Sequence, residues 1–374
     1  MILNKKILAA IFGDANEFCG REDVLHALIY YHIVQSGLSS TQVARELSIA
    51  NKKIDLVVFD GSINGQFYGT NIKPKCFIEV KGGAYGNRNA LADEISFDGY
   101  CTDMDKLKQE AEDGTEAWFI CVDMLELGRA LSTNLVQKVQ NQCRIRNISF
   151  AYYCQGENYY YYAPLTNTQS NEQVSLISRK SHLDMRKIFN LNNSHFSKMV
   201  STLLKINGHE ANTTAALYEL FRKSGLGTKQ ISLETYFSFA KKPGSTMHDR
   251  PDLVLFDEHF DGLFNLYKNG NRNMSNDAHK LKSIKSIIEV KGSNVMNSLG
   301  LKARMHKYVS DIEKLHNWQS MAKSKGCDNL PACFFCLDGH STPLPRSSFQ
   351  QLIDLSAGNQ LVYISHNGVE LAGF

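Results

Sequence analysis

Hydrophobic and polar positions alternate along this sequence in two ways, and each way predicts one kind of element. In GREDVLHALIYYHIVQSG, apolar side chains recur at helical spacing and a glycine follows, which predicts a helix that begins near Glu22. The segments QVARELSIA, KIDLVVFD and KCFIEVK are short and rich in apolar and β-branched residues, which predicts three strands. TDMDKL predicts a helix that begins at Thr102 with a capping-box partner at Asp105, and AWFICVD predicts a buried strand. This order predicts a mixed α/β sheet flanked by helices.

The second half of the sequence repeats these segments in the same order. KIDLVVFD returns as RPDLVLFD, FIEVKGG as IIEVKGS, and TDMDKL as SDIEKL, where Ser310 and Glu313 hold the capping-box positions. The additional residues of the second copy fall in KKPGSTMHDR and NGNRNMSNDAHKLKS, which are polar and turn-rich and therefore typical of loops. We therefore predict a tandem duplication: a first domain over 1–165, a linker with a bridging helix over 166–193, and a second domain over 194–374.

Composition narrows the class of protein. The 374 residues include 41 Lys+Arg and 38 Asp+Glu, so any contact with nucleic acid must come from a local basic patch. No apolar run approaches the roughly 20 residues that a membrane-spanning helix needs. The nine cysteines are odd in number and lack framework spacing, which favours reduced thiols. Cys333 and Cys336 form a C-x-x-C within an apolar strand, which favours buried core cysteines over a zinc site. We expect a soluble, cytoplasmic protein with no membrane partner and no small-molecule cofactor.

Two carboxylates are expected to meet on the sheet of the first half. Side chains alternate between the faces of a strand, so Glu79 and Lys81 point to the same side. If KIDLVVFD pairs beside that strand, Asp55 lies opposite Glu79. Neighbouring carboxylates repel, and the pKa of each rises unless a cation lies between them. Mg²⁺ is the expected cation because it prefers carboxylate, phosphate and water oxygens.

The same pattern occurs in the second half, with Asp252 opposite Glu289 and Lys291 two residues further on. A third acid is expected at each site from the start of the preceding helix, and Glu22 and Glu210 hold that position. An acid in the first turn of a helix also interacts favourably with the positive end of the helix dipole, and this is the alternative explanation for both residues.

At these residues the sequence resembles the PD-(D/E)xK nuclease superfamily, with one copy of the restriction endonuclease-like fold in each half. The resemblance implies that Asp55 and Glu79, and likewise Asp252 and Glu289, bind Mg²⁺, for which Mn²⁺ can substitute. It also implies that Lys81 and Lys291 assist the attacking water, and that Glu22 and Glu210 complete the sites. The proline that precedes the first aspartate in the family motif is present as Pro251 but is replaced by Ile54 in the first half.

The resemblance implies a metal-dependent endonuclease that acts on double-stranded DNA. Two sites in one chain suggest an intramolecular pseudo-dimer that cuts both strands, in a restriction-like or anti-foreign-DNA role. Two alternatives remain open: a structure-specific repair or recombination nuclease, and a nucleic-acid-binding protein with one or both sites inactive. The protein is either a monomer with pseudo-two-fold halves or a homodimer.

Several basic residues are candidates for contact with DNA phosphates. Lys106 and Lys314 occupy the predicted helices after each E-V-K strand, where solvated lysines are the alternative interpretation. The polar segment before the second E-V-K strand is basic and loop-like, and its candidates are Arg272, Lys280, Lys282 and Lys285.

Overall fold

The structure is a computed structural model, and it describes residues 1–49, 52–67, 69–83, 94–111, 114–124, 130–155, 157, 159–165, 170–173, 181–206, 210–237, 239–240, 249–264, 277–292 and 299–374. The chain divides into two compact units. The first comprises Met1–Ile63, Tyr68–Ser178 and Gly262–Ser275, and the second comprises Asn64–Phe67, Arg179–Asp261 and Asn276–Phe374. Among the described residues, no helix combines the length and hydrophobicity that crossing a bilayer requires.

The first unit is a mixed sheet with helices. Its helices are α1 (Lys5–Ala15), α2 (Glu22–Gln35), α3 (Glu94–Glu110) and α4 (Thr133–Ile145). Its strands are β1 (Val43–Ile49), β2 (Lys52–Phe59), β3 (Pro74–Gly83), β4 (Glu116–Asp123), β5 (Ser149–Cys154), β6 (Tyr159–Ala163) and β7 (Ser170–Gln173).

These seven strands lie in the sheet in chain order. The strands β1, β2 and β3 form an antiparallel meander, and β3, β4 and β5 run parallel. The strands β6 and β7 extend the sheet as antiparallel neighbours. The parallel centre is nearly continuous in apolar residues because helices cover such strands.

The second unit repeats this plan. Its helices are α5 (Met185–Ile188), α6 (Ser194–Lys205), α7 (Glu210–Lys223), α8 (Asp277–Ser283), α9 (Leu301–Lys323) and α10 (Arg346–Leu355). Its strands are β8 (Ile231–Leu233), β9 (Leu253–Phe256), β10 (Ile284–Lys291), β11 (Ala332–Asp338), β12 (Gln360–Ser365) and β13 (Gly368–Ala372).

The strands β8 to β13 also follow chain order in the second sheet. Their pairings are antiparallel, antiparallel, parallel, parallel and antiparallel, as in β1 to β6. Two tandem α/β units are therefore present, and helix α8 lies in the segment where the second copy is longer.

The two units also share details that the sequence repeat does not make obvious. The Tyr152 hydroxyl donates to Asp123 at 2.7 Å and accepts the amide of Leu131, and Tyr363 makes the same pair of bonds with Asp338 and Leu344. These buried hydrogen bonds fix the carboxyl ends of β4 and β11, so the duplication extends to the interior of each sheet.

Each unit also contains a glutamate whose backbone has a positive φ, in the left-handed region. Glu46 has φ 52° and Glu234 has φ 50°, and each is the residue across the strand pair from the predicted site aspartate. Such backbone geometry is costly for a residue other than glycine, so its presence in both copies indicates a local requirement at that point of the sheet.

Three predicted boundaries differ in the structure. The helix expected to begin at Thr102 begins at Glu94, and the one expected near Ser310 begins at Leu301, so both capping-box predictions were wrong. Part of the predicted linker, 166–193, is strand β7 of the first sheet. The helices themselves were predicted, and only their first residues differ. The pairing of β7 with β6 is a tertiary contact that the local sequence does not encode.

Each unit also incorporates a short segment from the other half of the sequence. In the first unit, the Cys19 amide donates to the Gly262 carbonyl at 2.9 Å, and Phe18 contacts Phe264. In the second unit, the Gly65 amide donates to the Lys205 carbonyl at 2.8 Å. The units are therefore not simple successive stretches of chain.

Candidate active site

Strand pairing sets the position of the first two acids. The β2–β3 register places Leu56 opposite Ile78, so the next position along places Asp55 opposite Glu79. Asp55 Oδ2 accepts the amide of Val80 at 2.8 Å, and Glu79 is fully buried. The expected meeting of two carboxylates is therefore present.

The second unit holds its acids in the same way. The β9–β10 register places Leu253 opposite Ile288, and the next position along places Asp252 opposite Glu289. Asp252 Oδ2 accepts the amide of Val290 at 2.6 Å, and Glu289 is 2% exposed.

The start of helix α2 brings a further acid and a histidine to the first site. Glu22 is the first residue of α2, and its Oε2 accepts the amide of Gly82 at 3.2 Å. One turn later, His26 Nε2 lies 3.8 Å from Glu22 Oε1 and 3.5 Å from Asp55 Oδ2. The three potential ligand atoms of Glu22, His26 and Asp55 lie within 4.8 Å of one another.

Glycines after Lys81 allow this approach. Gly83 has φ +112°, and a Cβ there would lie 2.9 Å from the carbonyl oxygen of Gly20, just before α2. Gly82 has φ +148°, and its Cβ would lie 2.0 Å from the carbonyl oxygen of Val122 on β4. The G-G that follows E-V-K therefore lets the end of β3 pack closely against both α2 and β4.

The lysine of each E-V-K strand bridges the helix glutamate to an aspartate of the next helix. Lys81 Nζ lies 3.8 Å from Glu22 Oε1 and 3.3 Å from Asp103 Oδ2. In the second unit, Lys291 Nζ lies 3.0 Å from an oxygen of each of Glu210 and Asp311. These two aspartates were not among the predicted site residues, although both occupy the second position of the repeated TDMDKL and SDIEKL segments.

The lysines Lys106 and Lys314 belong to the sites rather than to a solvent-facing surface. Lys106 Nζ lies 2.6 Å from Glu79 Oε1 and also donates to the Lys53 carbonyl. Lys314 Nζ lies 2.7 Å from Glu289 Oε2. Both lysines pair with a buried glutamate, so the interpretation as solvated helix lysines was wrong.

Burial and neighbouring charges raise the pKa of two acids of the first site and lower that of the third. Burial and the charge of Asp55 raise the pKa of Glu79 to about 8, and burial raises that of Glu22 to about 7. Burial also acts to raise the pKa of Asp55, but His26, Lys81 and the Val80 amide outweigh it, so this pKa is lowered. The expected rise therefore occurs at Glu79 but not at Asp55, because positive and hydrogen-bonding groups surround the aspartate.

The basic groups are shifted in opposite directions. Burial lowers the pKa of His26, so its imidazole is neutral at neutral pH. Burial also acts to lower the pKa of Lys81, but the carboxylates of Glu22, Asp55 and Asp103 outweigh it, and the pKa is raised. A neutral imidazole and a firmly charged ammonium group therefore lie side by side.

The second site keeps the carboxylate repulsion, and among its described residues a threonine holds the position of His26. Burial and Glu210 raise the pKa of Asp252 to about 6, and burial and Asp252 raise that of Glu289 well above its usual range. Thr214 holds the position one turn after Glu210, and its hydroxyl donates to the Glu210 carbonyl at 3.0 Å. No trio of ligand atoms comparable to that of the first site occurs within the described part of the second unit.

The basic segment before β10 is placed differently from the prediction. Lys280 is 1% exposed, donates to the Tyr236 carbonyl and lies 4.6 Å from the centre of the Phe237 ring. It is therefore not available to a DNA phosphate. Lys282 and Lys285 are exposed, and Arg272 lies outside the described residues.

Cys333 and Cys336 are buried in β11 as free thiols, and burial raises the pKa of both. A raised thiol pKa disfavours the thiolate that zinc requires, in keeping with core cysteines.

Comparison of the chain with protein-family models, with curated proteins and with solved structures finds no match.

Proposed function

We propose that this protein is a Mg²⁺-dependent DNA endonuclease in which each half hydrolyses a phosphodiester bond of one strand. One observation carries the proposal: an aspartate held opposite a buried glutamate, beside a lysine that pairs with a helix glutamate, occurs once in each unit. The chemical pattern has survived with its contacts in both copies, whereas a purely structural ion pair has no such requirement.

The order of elements around each site supports the proposal. A helix, an antiparallel three-stranded meander, a second helix and a parallel strand surround each pair of acids. This is the arrangement that the resemblance to PD-(D/E)xK nucleases implies. A restriction-like or anti-foreign-DNA role rests on that resemblance alone.

The residues present fit a divalent cation. Glu79 Oε2 and Glu289 Oε1 are buried and have no hydrogen-bond partner among the described residues. A buried carboxylate oxygen without a partner is costly, and a cation would relieve that cost. Asp55, Glu79 and Glu22 would hold Mg²⁺ in the first half, and Asp252, Glu289 and Glu210 in the second, with Mn²⁺ as a substitute. The bound cation would stabilise negative charge on the phosphoryl group.

The lysines would position the reactants. Because its pKa is raised, Lys81 is protonated at neutral pH and donates hydrogen bonds to a water or a phosphate oxygen. It does not accept a proton from the attacking water. Lys291 has a raised pKa for the same reason, since Glu210 and Asp311 lie beside it and outweigh the effect of burial.

A second candidate function is supported by the difference between the halves. Potential ligand atoms converge in the first half, but the described residues of the second half contain no such trio. In this alternative, the first half cuts one strand and the second half only binds nucleic acid.

The test is cleavage of supercoiled plasmid in Mg²⁺ by the wild type, Lys81→Ala, Lys291→Ala and the double variant. Linear product from the wild type and nicked circles from each single variant are expected if each half cuts one strand. Lys108→Ala is the matched control, because Lys108 is exposed on α3 and makes no contact with the site acids among the described residues.

Two other cleavage results would decide against cutting by both halves. Nicked circles from the wild type that disappear only in Lys81→Ala would favour the single-site alternative. A complete lack of metal-dependent cleavage on duplex, flap and junction DNA would refute the endonuclease proposal.

A further inference from the structure

His26 is the unusual residue of the first site. Its side chain is 4% exposed, and neither ring nitrogen has a hydrogen-bond partner among the described residues. A buried imidazole normally satisfies at least one nitrogen, so two unpartnered nitrogens indicate that a ligand outside the chain completes this group.

The geometry directs one nitrogen at the carboxylates. His26 Nε2 lies 3.5 Å from Asp55 Oδ2 and 3.8 Å from Glu22 Oε1. Two ligands that are each about 2.1 Å from a metal lie about 3.4 Å apart at a tetrahedral angle and about 3.0 Å apart at a right angle. The two distances from His26 Nε2 are therefore close to those between ligands of one metal ion, and small side-chain adjustments would allow the atoms to share it.

The local helix explains why the histidine faces the site. Glu22 and His26 are separated by four residues in α2, so they lie on the same face one turn apart. The close approach at Gly82 and Gly83 brings this face against the end of β3. The equivalent position in α7 is Thr214, whose hydroxyl bonds back to the helix backbone.

The donor atoms differ between the halves as a result. Among the described residues, the first half adds an imidazole nitrogen to its carboxylates, whereas the second half has Thr214 at that position. Imidazole suits Fe²⁺, Ni²⁺, Cu²⁺ and Zn²⁺ best, and Mn²⁺ accepts it more readily than Mg²⁺, which strongly prefers oxygen ligands.

We propose that Glu22, His26 and Asp55 form a site for a first-row transition metal, so that the two halves of the protein differ in metal selectivity. This inference rests on the proposed metal-dependent function, because it assigns a different cation to one of the two sites. It predicts that Mn²⁺ binds the first half through nitrogen and resists displacement by Mg²⁺.

The test uses the full-length, metal-free protein and Mn²⁺ as the probe. One equivalent of Mn²⁺ is added with excess Mg²⁺ present, and coupling between the manganese electron spin and ¹⁴N is measured by pulsed electron paramagnetic resonance. Wild-type protein should show the ¹⁴N coupling, and the variants His26→Gln and His26→Thr should both lose it. The affinity for Mn²⁺ should fall by about tenfold or more in both variants.

Two controls separate ligation from packing. His26→Thr gives α2 the residue type found in α7, whereas His26→Gln keeps more of the side-chain volume. Circular dichroism and thermal unfolding establish that each variant is folded. His32→Gln is a matched control, because His32 lies in the same helix but pairs with Asp14 at 2.9 Å, and it should keep the ¹⁴N coupling.

The outcomes also separate this inference from the proposed function. Bound Mn²⁺ without ¹⁴N coupling in the wild type, or with coupling that persists in the His26 variants, would overturn ligation by His26. Cleavage of plasmid in Mg²⁺ would then leave the endonuclease proposal intact. If neither Mn²⁺ nor Mg²⁺ binds to either half, the inference and the metal-dependent function fail together.

Discussion

Replacing Glu79 with glutamine should stabilise the metal-free protein. The pKa of Glu79 is about 8 in the folded state, compared with 4.5 for an ordinary glutamate. The native state therefore binds more protons than the unfolded state between these values, and stability falls as the pH rises from about 4.5 to 8. A glutamine side chain has nearly the same shape as glutamate but no charge, so the variant loses this dependence.

The magnitude follows from the difference between the two pKa values. At pH 7, about 2.5 pH units of the window have been crossed, and each unit corresponds to about 1.4 kcal/mol, which gives about 3 kcal/mol. We therefore expect Glu79→Gln to raise the free energy of unfolding of the first unit by about 3 kcal/mol at pH 7. Near pH 4.5 the variant and the wild type should have almost equal stability.

Urea unfolding in the presence of EDTA measures this effect. The chain has two tryptophans, of which Trp118 lies in the first unit and Trp318 in the second. A Trp318→Phe background therefore makes fluorescence report on the first unit. Addition of Mg²⁺ should stabilise the wild type by about 3 kcal/mol at 100 times the dissociation constant and should stabilise Glu79→Gln less.

The exposed strand residue Glu370 lies in the second unit, so Glu370→Gln provides the control and should leave the unfolding of the first unit unchanged. A Glu79→Gln variant that is no more stable than the wild type at pH 7 in EDTA would refute the reasoning. So would equal stabilisation of both proteins by Mg²⁺.

Three further predictions concern residues other than the site acids. Burial lowers the pKa of Lys280 to about 8, so the cost of burying its charge is relieved as the pH rises from about 8 to 10.5. In urea titrations the wild type should gain about 3 kcal/mol of stability relative to Lys280→Met over that window, and a constant difference would contradict this. Arg304 Nη1 donates to both carboxylate oxygens of the buried Asp338, so Arg304→Met should lower the free energy of unfolding by about 3 kcal/mol in urea titrations, and an unchanged midpoint would contradict this. Gly82→Ala should destabilise the first unit far more than Gly37→Ala in thermal unfolding, because only the former places a Cβ against the backbone of β4.

The strands and their acids could be predicted because the information is local. Alternation along KIDLVVFD and FIEVKGG places Asp55 and Glu79 on known faces, and only one antiparallel pairing joins the two segments in sequence. The duplication supplied a second copy of each pattern, which made the meeting of Asp252 and Glu289 predictable as well. Assignment of the metal and of the reaction goes further, and depends on the resemblance.

The missed features depend on tertiary contacts. His26 becomes a possible metal ligand only because α2 packs against the end of β3, which the sequence does not show. Its position four residues after Glu22 could have indicated that the two side chains lie on the same helix face. Lys280 looked like a loop lysine because its cover, Phe237, comes from a distant part of the sequence. Lys106 looked solvated because its partner Glu79 lies on a strand whose buried face is set by the whole sheet.

The exchange of short segments between the units has a consequence for synthesis of the protein. Residues Gly262–Phe264 complete the packing around Phe18 and Cys19, although about 240 residues of sequence separate the two segments. On the ribosome, the first unit therefore waits for part of the second half to emerge before its last contacts can form. The order of synthesis therefore differs from the order in which the units complete their folding. A nascent first half lacks contacts that come from residues not yet translated.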